Sequence, residues 1–170
     1  MSTFRDQNWA LSLSAVIVIP ALRNVVTDQF GIQTLLDSDD GPVRFKIVYE
    51  SRISLDFATS EDAVCGVSTL TVADMVATKL LANDDRWTDH SVYSRDLIDL
   101  AMLSADPDSW NAGSRKAASA YGPTVQAKLR RASECSLANP TWLKTCISQM
   151  QVDVSVTDLC DRIEKLRYAF

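Results

Sequence analysis

Two neighbouring segments, Lys79-Leu80-Leu81-Ala82-Asn83-Asp84-Asp85-Arg86 and Arg95-Asp96-Leu97-Ile98-Asp99-Leu100, decide how this chain is read. Apolar Met75, Val76, Leu80 and Leu81 recur at helical steps and predict a helix from Val72 to about Asn83. Thr71 stands before it as a capping residue, with Asp74 three positions on in a box-like arrangement. Leu97, Ile98, Ala101 and Met102 predict a second helix from Val92 or Tyr93 to Ser104, with Asp84 to Ser91 a polar loop between the two. On the first helix, Lys79, Ala82, Asn83 and Arg86 share a face if the helix runs that far. Two cations two turns apart, with a small residue between them, can clamp neighbouring phosphates. Lysine supplies a compact charge and arginine a planar fork. On the second helix, Asp96 and Asp99 point toward a common neighbour, and Arg95 and Asp99 are one turn apart. If that neighbour is the Lys79 and Arg86 stripe, the outcome is an ion-pair network between helices. Such a network either positions cations for a ligand or holds two helices in register.

Working outward, the chain before these helices alternates. Val43, Phe45, Ile47 and Tyr49 are separated by Arg44 and Lys46. Ile53, Leu55 and Phe57 are separated by Ser54 and Asp56. This period of two predicts a β-hairpin turning near Glu50-Ser51, and it places Asp56 in mid-strand, where aspartate is disfavoured and needs a reason. Ile32 to Leu36 reads as a short strand and Asp37-Ser38-Asp39-Asp40-Gly41-Pro42 as a loop. That acidic loop is not an EF-hand, because Pro42 and Val48 stand where glycine and the bidentate glutamate belong. Trp9 to Phe30 reads mainly as helix, interrupted at Pro20, with Gly31 as its stop. Beyond Asp106-Pro107-Asp108, helices are predicted over Ser109–Tyr121, Thr124–Ser136, Pro140–Gln151 and Ser155–Tyr168. The fold class is α+β, a small antiparallel hairpin followed by a helical bundle.

Composition excludes several classes. A chain of 170 residues with 46% hydrophobic and 23% charged residues builds one domain with a real core. A net charge of -5 argues against a general phosphate-backbone binder, though not against a local basic pocket. The longest early apolar run, Ala15 to Leu22, is too short to span a bilayer and lacks the basic flank of a signal peptide. The expectation is a cytoplasmic protein. Cys65, Cys135, Cys146 and Cys160 form no Cys-x-x-Cys pair, and His90 is the single histidine, so neither a zinc site nor a disulfide framework is indicated. They read as buried free thiols. His90 has no nucleophile beside it and reads as a loop residue. Trp87 reads as a ring covering the core rather than a base-stacking platform, and Lys128, Arg130 and Arg131 as a solvated face.

The pattern Lys-Leu-x-Ala-x-x-x-Arg at Lys79, Leu80, Ala82 and Arg86, followed by Arg-Asp-x-x-Asp-Leu at Arg95, Asp96, Asp99 and Leu100, resembles the AbiEii/AbiGii-type nucleotidyltransferase toxins of type IV toxin–antitoxin and abortive-infection systems. The resemblance runs from Val43 to Leu103, and Ile53 to Phe57 resembles the family's preceding strand. It implies catalytic roles for Asp56, Lys79, Asp96 and Asp99. It implies nucleotide contacts for Lys79, Arg86 and Arg95, and a metal role for Asp56. A nucleoside triphosphate with magnesium, an antitoxin partner and transfer of a nucleotidyl group to an acceptor follow from it. The family's first motif, a Gly-Ser turn followed by Asp-x-Asp on a strand, has no counterpart. Gly113-Ser114 is far downstream, and Asp37-Ser38-Asp39 and Asp106-Pro107-Asp108 are turn-like. The expectation is therefore a shortened family member with weak or absent catalysis. Residues 1–66 would be a partial nucleotidyltransferase-like portion and 67–170 a helical portion. An edge strand left exposed in the reduced sheet would be covered by the N-terminal helix around Leu11 to Phe30 or by a second copy, which leads to an expected homodimer. The alternative is a non-catalytic interaction module in which the charged stripes are architectural.

Overall fold

The computed structural model describes residues 25–29, 31–103 and 105–167. The chain divides into two compact units after Ser51. In the first, strands β1 (Val26–Asp28), β2 (Gly31–Leu36) and β3 (Val43–Val48) form an antiparallel sheet in that order. In the second, the short strands β4 (Ala63–Val64) and β5 (Val67–Ser68) precede six described helices. These are α1 (Val72–Arg86), α2 (Arg95–Leu103), α3 (Pro107–Tyr121), α4 (Thr124–Leu137), α5 (Pro140–Met150) and α6 (Val156–Leu166). The α+β class stands. No helix among the described residues is long and apolar enough to cross a membrane.

The sheet corrects two readings of the sequence. The helix expected up to Phe30 gives way to β1 at Val26–Asp28, paired Asp28 to Gly31, where the β-branched run Val25-Val26-Thr27 suits a pleated surface. The part of that helix before residue 25 lies outside the described residues. Gly31 is not a helix stop but the first residue of β2. Its φ is 147°, and a Cβ there would meet the Ile47 carbonyl oxygen at 2.0 Å, so only glycine fits the close approach of β2 to β3.

The second correction concerns the hairpin. β3 pairs with β2 across the Asp37–Pro42 loop, from Leu36↔Val43 to Gly31↔Val48, and not with Ile53–Phe57. That later segment has no strand structure. The Asp56 backbone N–H donates to the Asp74 carboxylate at 2.7 Å, and Ile53 packs on the helical core. Alternation was present there, but the backbone donor goes to a helix N-terminus instead of a ladder.

The helices follow their caps. Thr71 accepts from the Asp74 N–H at 3.2 Å, Asp106 from Asp108 and Ser109 at 3.0 Å each, Asn139 from Trp142 at 3.0 Å and Ser155 from Asp158 at 3.0 Å. α1 extends past the expected end near Asn83. Carboxylates in a last turn oppose the helix dipole, but Asp84 pairs with the Lys128 ammonium and Asp85 with Arg52 at 3.1 Å. Lys128 is thus no solvated residue. The core joins Val76, Leu80 and Leu81 of α1 to Leu97, Ile98 and Leu100 of α2, and to Leu129, Leu143, Leu159 and Ile163 of the later helices. α1 runs closest to α3. A Cβ on Gly113 would stand 2.5 Å from the Ala73 carbonyl oxygen and 2.6 Å from Val76 Cβ. The single Gly-Ser of the chain therefore serves helix packing, with Ser114 buried beside it. All four cysteines are free thiols. Cys146 is buried, Cys160 half-buried, and Cys65 and Cys135 exposed, which corrects the expectation that all are buried. Burial pushes the Cys146 and Cys160 thiols up.

Candidate functional site

The extension of α1 to Arg86 completes the stripe. Lys79 and Arg86 lie two turns apart and face α2, whose first turns present Asp96 and Asp99. Arg86 donates from Nε to Asp96 Oδ2 at 2.7 Å and from Nη2 to Asp96 Oδ1 at 2.9 Å, a two-pronged fork. Lys79 pairs with Asp99 and stands 3.6 Å from Asp96. Asp96 is 3% exposed, whereas Lys79 and Arg86 remain 34% and 42% exposed along their side chains. Asp96 is thus the buried member of the cluster, while Asp99, at 35% exposed, is as accessible as Lys79. The hydrogen bond to Asp96 holds the Arg86 guanidinium above its ordinary value, so it stays charged at every accessible pH. Three donors on Lys79 and five on Arg86 exceed what Asp96 and Asp99 take up, and Arg86 Nη1 has no hydrogen-bond partner among the described residues. Two cations and two carboxylates sum to zero. Arg95 is exposed and without an ion pair among the described residues, and Asp85 and Asp89 bring further negative charge close to Arg86. The expected Arg95 to Asp99 pair is not formed, because Asp99 takes Lys79.

Asp56 stands apart from this cluster. Its carboxylate, 61% exposed, accepts from Lys116 Nζ at 2.7 Å, and the same ammonium reaches the fully buried Asp74 at 2.5 Å. Asp74 also accepts from the Thr71 hydroxyl at 3.0 Å and from the Asp56 N–H. Burial of the ammonium acts to lower the Lys116 pKa, but hydrogen bonds to Asp56 and Asp74 outweigh it and raise the value. Sequence reasoning missed Lys116 altogether and saw Asp74 only as a capping residue. A buried aspartate in the first turn of a helix, with a lysine placed three residues after a helix-packing glycine, was the available signal.

No three His, Cys, Asp or Glu residues come together to hold a metal among the described residues. The Asp56 and Asp74 carboxylates share the Lys116 charge.

Past Arg86 the chain turns through a short 3₁₀ segment, His90–Val92, capped by Asp89, whose carboxylate is held below its ordinary value by hydrogen bonds from Ser91. Tyr93 and Ser94 both adopt positive φ, 53° and 51°, an unusual state for two successive non-glycine residues. Trp142 fixes them, with its Nε1 donating to Ser94 Oγ at 3.0 Å and its ring stacked on Tyr93 at 6.0 Å. A cavity of about 180 Å³ opens between this turn, the end of α1, the end of α4 and the start of α5. Arg86, Arg95 and Asp96 line one side of it.

A family model described as nucleotidyl transferase AbiEii toxin, type IV TA system, matches residues 15–155, most of the chain and all of the site just described. The chain belongs to the AbiEii family. Among curated proteins and solved structures, none matches it. Membership makes it a nucleotidyltransferase-like toxin of a toxin–antitoxin system. The family match spans both helix motifs, so the Lys79, Arg86, Asp96 and Asp99 cluster lies inside it.

Proposed function

We propose that this AbiEii family member binds a nucleoside triphosphate, with magnesium carried by the triphosphate, along the cluster formed by α1 and α2. Lys79 and Arg86 meet the phosphates, exposed Arg95 adds a third cation, and Asp96 and Asp99 set the first two in place. One observation supports this reading above the rest. Lys79 and Arg86 are the exposed partners of the buried Asp96 carboxylate, with hydrogen-bond donors left over. In the family's chemistry, a nucleotidyl group passes to an acceptor. Catalysis of that kind rests on charge neutralisation at the transferred phosphoryl group. The described carboxylates assemble no metal site, and Asp56 is neutralised by Lys116. Transfer by this chain is accordingly weak or absent, and binding is the activity expected. Calorimetric titration with GTP, ATP, CTP and UTP in magnesium checks this. Heat with at least one is expected, and none with any of the four would leave the cluster purely architectural.

The second reading, a non-catalytic interaction module, is favoured by a different observation. Among the described residues β3 is an edge strand of the three-stranded sheet, and it carries exposed Val43 and Val48, with exposed Tyr49 following. An edge of this kind pairs with another chain, either a second copy or the antitoxin. Light scattering after gel filtration tests the homodimer. A monomer mass at micromolar concentration would exclude it.

A further inference from the structure

Arg86 reaches the ion-pair cluster because α1 continues past Asn83, and the residues that follow oppose that continuation. Asp84 and Asp85 set two carboxylates at the negative end of the helix dipole. The two differ in their surroundings. The Asp85 side chain is 47% exposed and that of its partner Arg52 35%, so water can replace this pair. Asp84 is 7% exposed and cannot turn to solvent while the helix lasts. Its Oδ1 is buried without a hydrogen-bond partner, and its Oδ2 accepts from Lys128 Nζ. Among the described residues, Lys128 is therefore the one ion-pair partner of a buried carboxylate.

Lys128, on α4, makes a second bond to the same residue. Its Nζ also donates to the Asp84 backbone carbonyl at 3.1 Å. That carbonyl lies in the last turn of α1, where the helix itself runs out of N–H donors. The Trp87 N–H takes the Asn83 carbonyl at 2.9 Å and the Asp89 N–H takes the Arg86 carbonyl at 2.9 Å, so the Asp84 carbonyl falls to Lys128. One ammonium thus neutralises a buried carboxylate, closes an open carbonyl and brings positive charge to the negative end of the dipole. The helix around Lys79 needs no such help, because fully buried Leu80 and Leu81 anchor it in the core. Past Leu81, the buried residues of α1 are Asn83 and Asp84, both polar.

We propose that Lys128 is the positioning residue of Arg86: through Asp84 it holds the final turn of α1 in helix and so sets the guanidinium two turns from Lys79. It touches no ligand in this role. Without the ammonium, the Asp84 carboxylate would be buried and unpaired, and unwinding the final turn is the shortest way to return it to water. Arg86 lies in that turn and Lys79 does not, so loss of Lys128 acts on one of the two cations. The consequence for binding rests on the nucleotide reading above, whereas the hold on the turn does not.

Hydrogen exchange of the full chain without ligand, followed by mass spectrometry, tests the hold. Lys128→Met is expected to speed exchange over residues 84–89 at least tenfold and to leave residues 97–103 unchanged. Adding Asp84→Asn removes the stranded charge and is expected to return most of the protection. Unchanged exchange over 84–89 in Lys128→Met overturns the proposal, as does an acceleration shared equally by 97–103 or one that Asp84→Asn does not correct. Titration with inorganic tripolyphosphate tests the consequence. Lys128→Met is expected to weaken binding at least threefold in the natural chain and to have no further effect in Arg86→Ala, since Arg86 carries the loss. An equal loss in both backgrounds overturns the positioning role and makes Lys128 a phosphate contact itself. If the natural chain binds no tripolyphosphate, the phosphate site is rejected, and the exchange result alone upholds or overturns the hold of Lys128 on the turn.

Discussion

The two ends of α1 carry ion networks that look alike in sequence and differ in kind. At the N-terminal end, Asp74 is fully buried at the seam with α3 and is bound by Thr71, Lys116 and the Asp56 backbone. At the C-terminal end, Asp96 is as deeply buried, but its cations reach solvent and border a cavity. At the first end the side chains close around the buried Asp74, with the Asp56 carboxylate reaching solvent. At the second, two partly exposed cations keep spare donors beside a cavity, which suits a ligand. On the reading proposed above, the first end serves the fold and the second serves binding, and substitution can break that contrast.

The largest effect is expected at the closed end. Asp74→Ala removes the acceptor of three donors and leaves Lys116 half-satisfied, which should cost about 3–4 kcal/mol in chemical denaturation and change the affinity of folded protein for nucleotide little. Gly113→Ala forces α1 and α3 apart and should cost about 2–3 kcal/mol. A loss under about 1 kcal/mol for either would show that the seam is not the mechanical centre assumed here. At the open end, Asp96→Ala frees the Arg86 fork and should cost about 2 kcal/mol. It should also weaken nucleotide binding through misplaced cations. A melting loss with intact binding would make Asp96 structural alone.

The smallest effect is pH-dependent. The Lys116 pKa is raised, so the bridge contributes fully below the unfolded lysine value and is lost as pH rises through the folded one. The melting difference between the natural chain and Lys116→Met should stay constant through neutral pH and close only above about pH 10.4. A gap that closes near neutrality would mean that Asp56 and Asp74 do not hold the ammonium.

The same contrast explains what the sequence revealed. Helix positions were legible because apolar residues recur at helical steps and Thr71, Asp106, Asn139 and Ser155 cap their helices locally. The Lys79, Asp96 and Asp99 juxtaposition was legible too, since two adjacent amphipathic helices with short spacing pack side by side. Long-range partners were not. Which strand β3 takes depends on the Asp37–Pro42 turn, and the alternating Ile53–Phe57 segment gave a false signal because Asp74 claims its backbone. Lys116 and Lys128 carry no local mark of their roles. Each meets a carboxylate 42 or 44 residues away. The cavity depends on four helix ends and one strained turn, so Arg86, Arg95 and Asp96 were legible singly but not as one wall.

The central claim is that the α1 cations serve a ligand and not the fold alone. Lys79→Ala tests it most directly when melting temperature and triphosphate titration are measured on the same preparation. Its ammonium is a third exposed, so its pairs are worth no more than about 1 kcal/mol. The account predicts a melting temperature close to that of the natural chain with nucleotide binding weakened at least tenfold. A clearly lowered melting temperature with unchanged binding would contradict it.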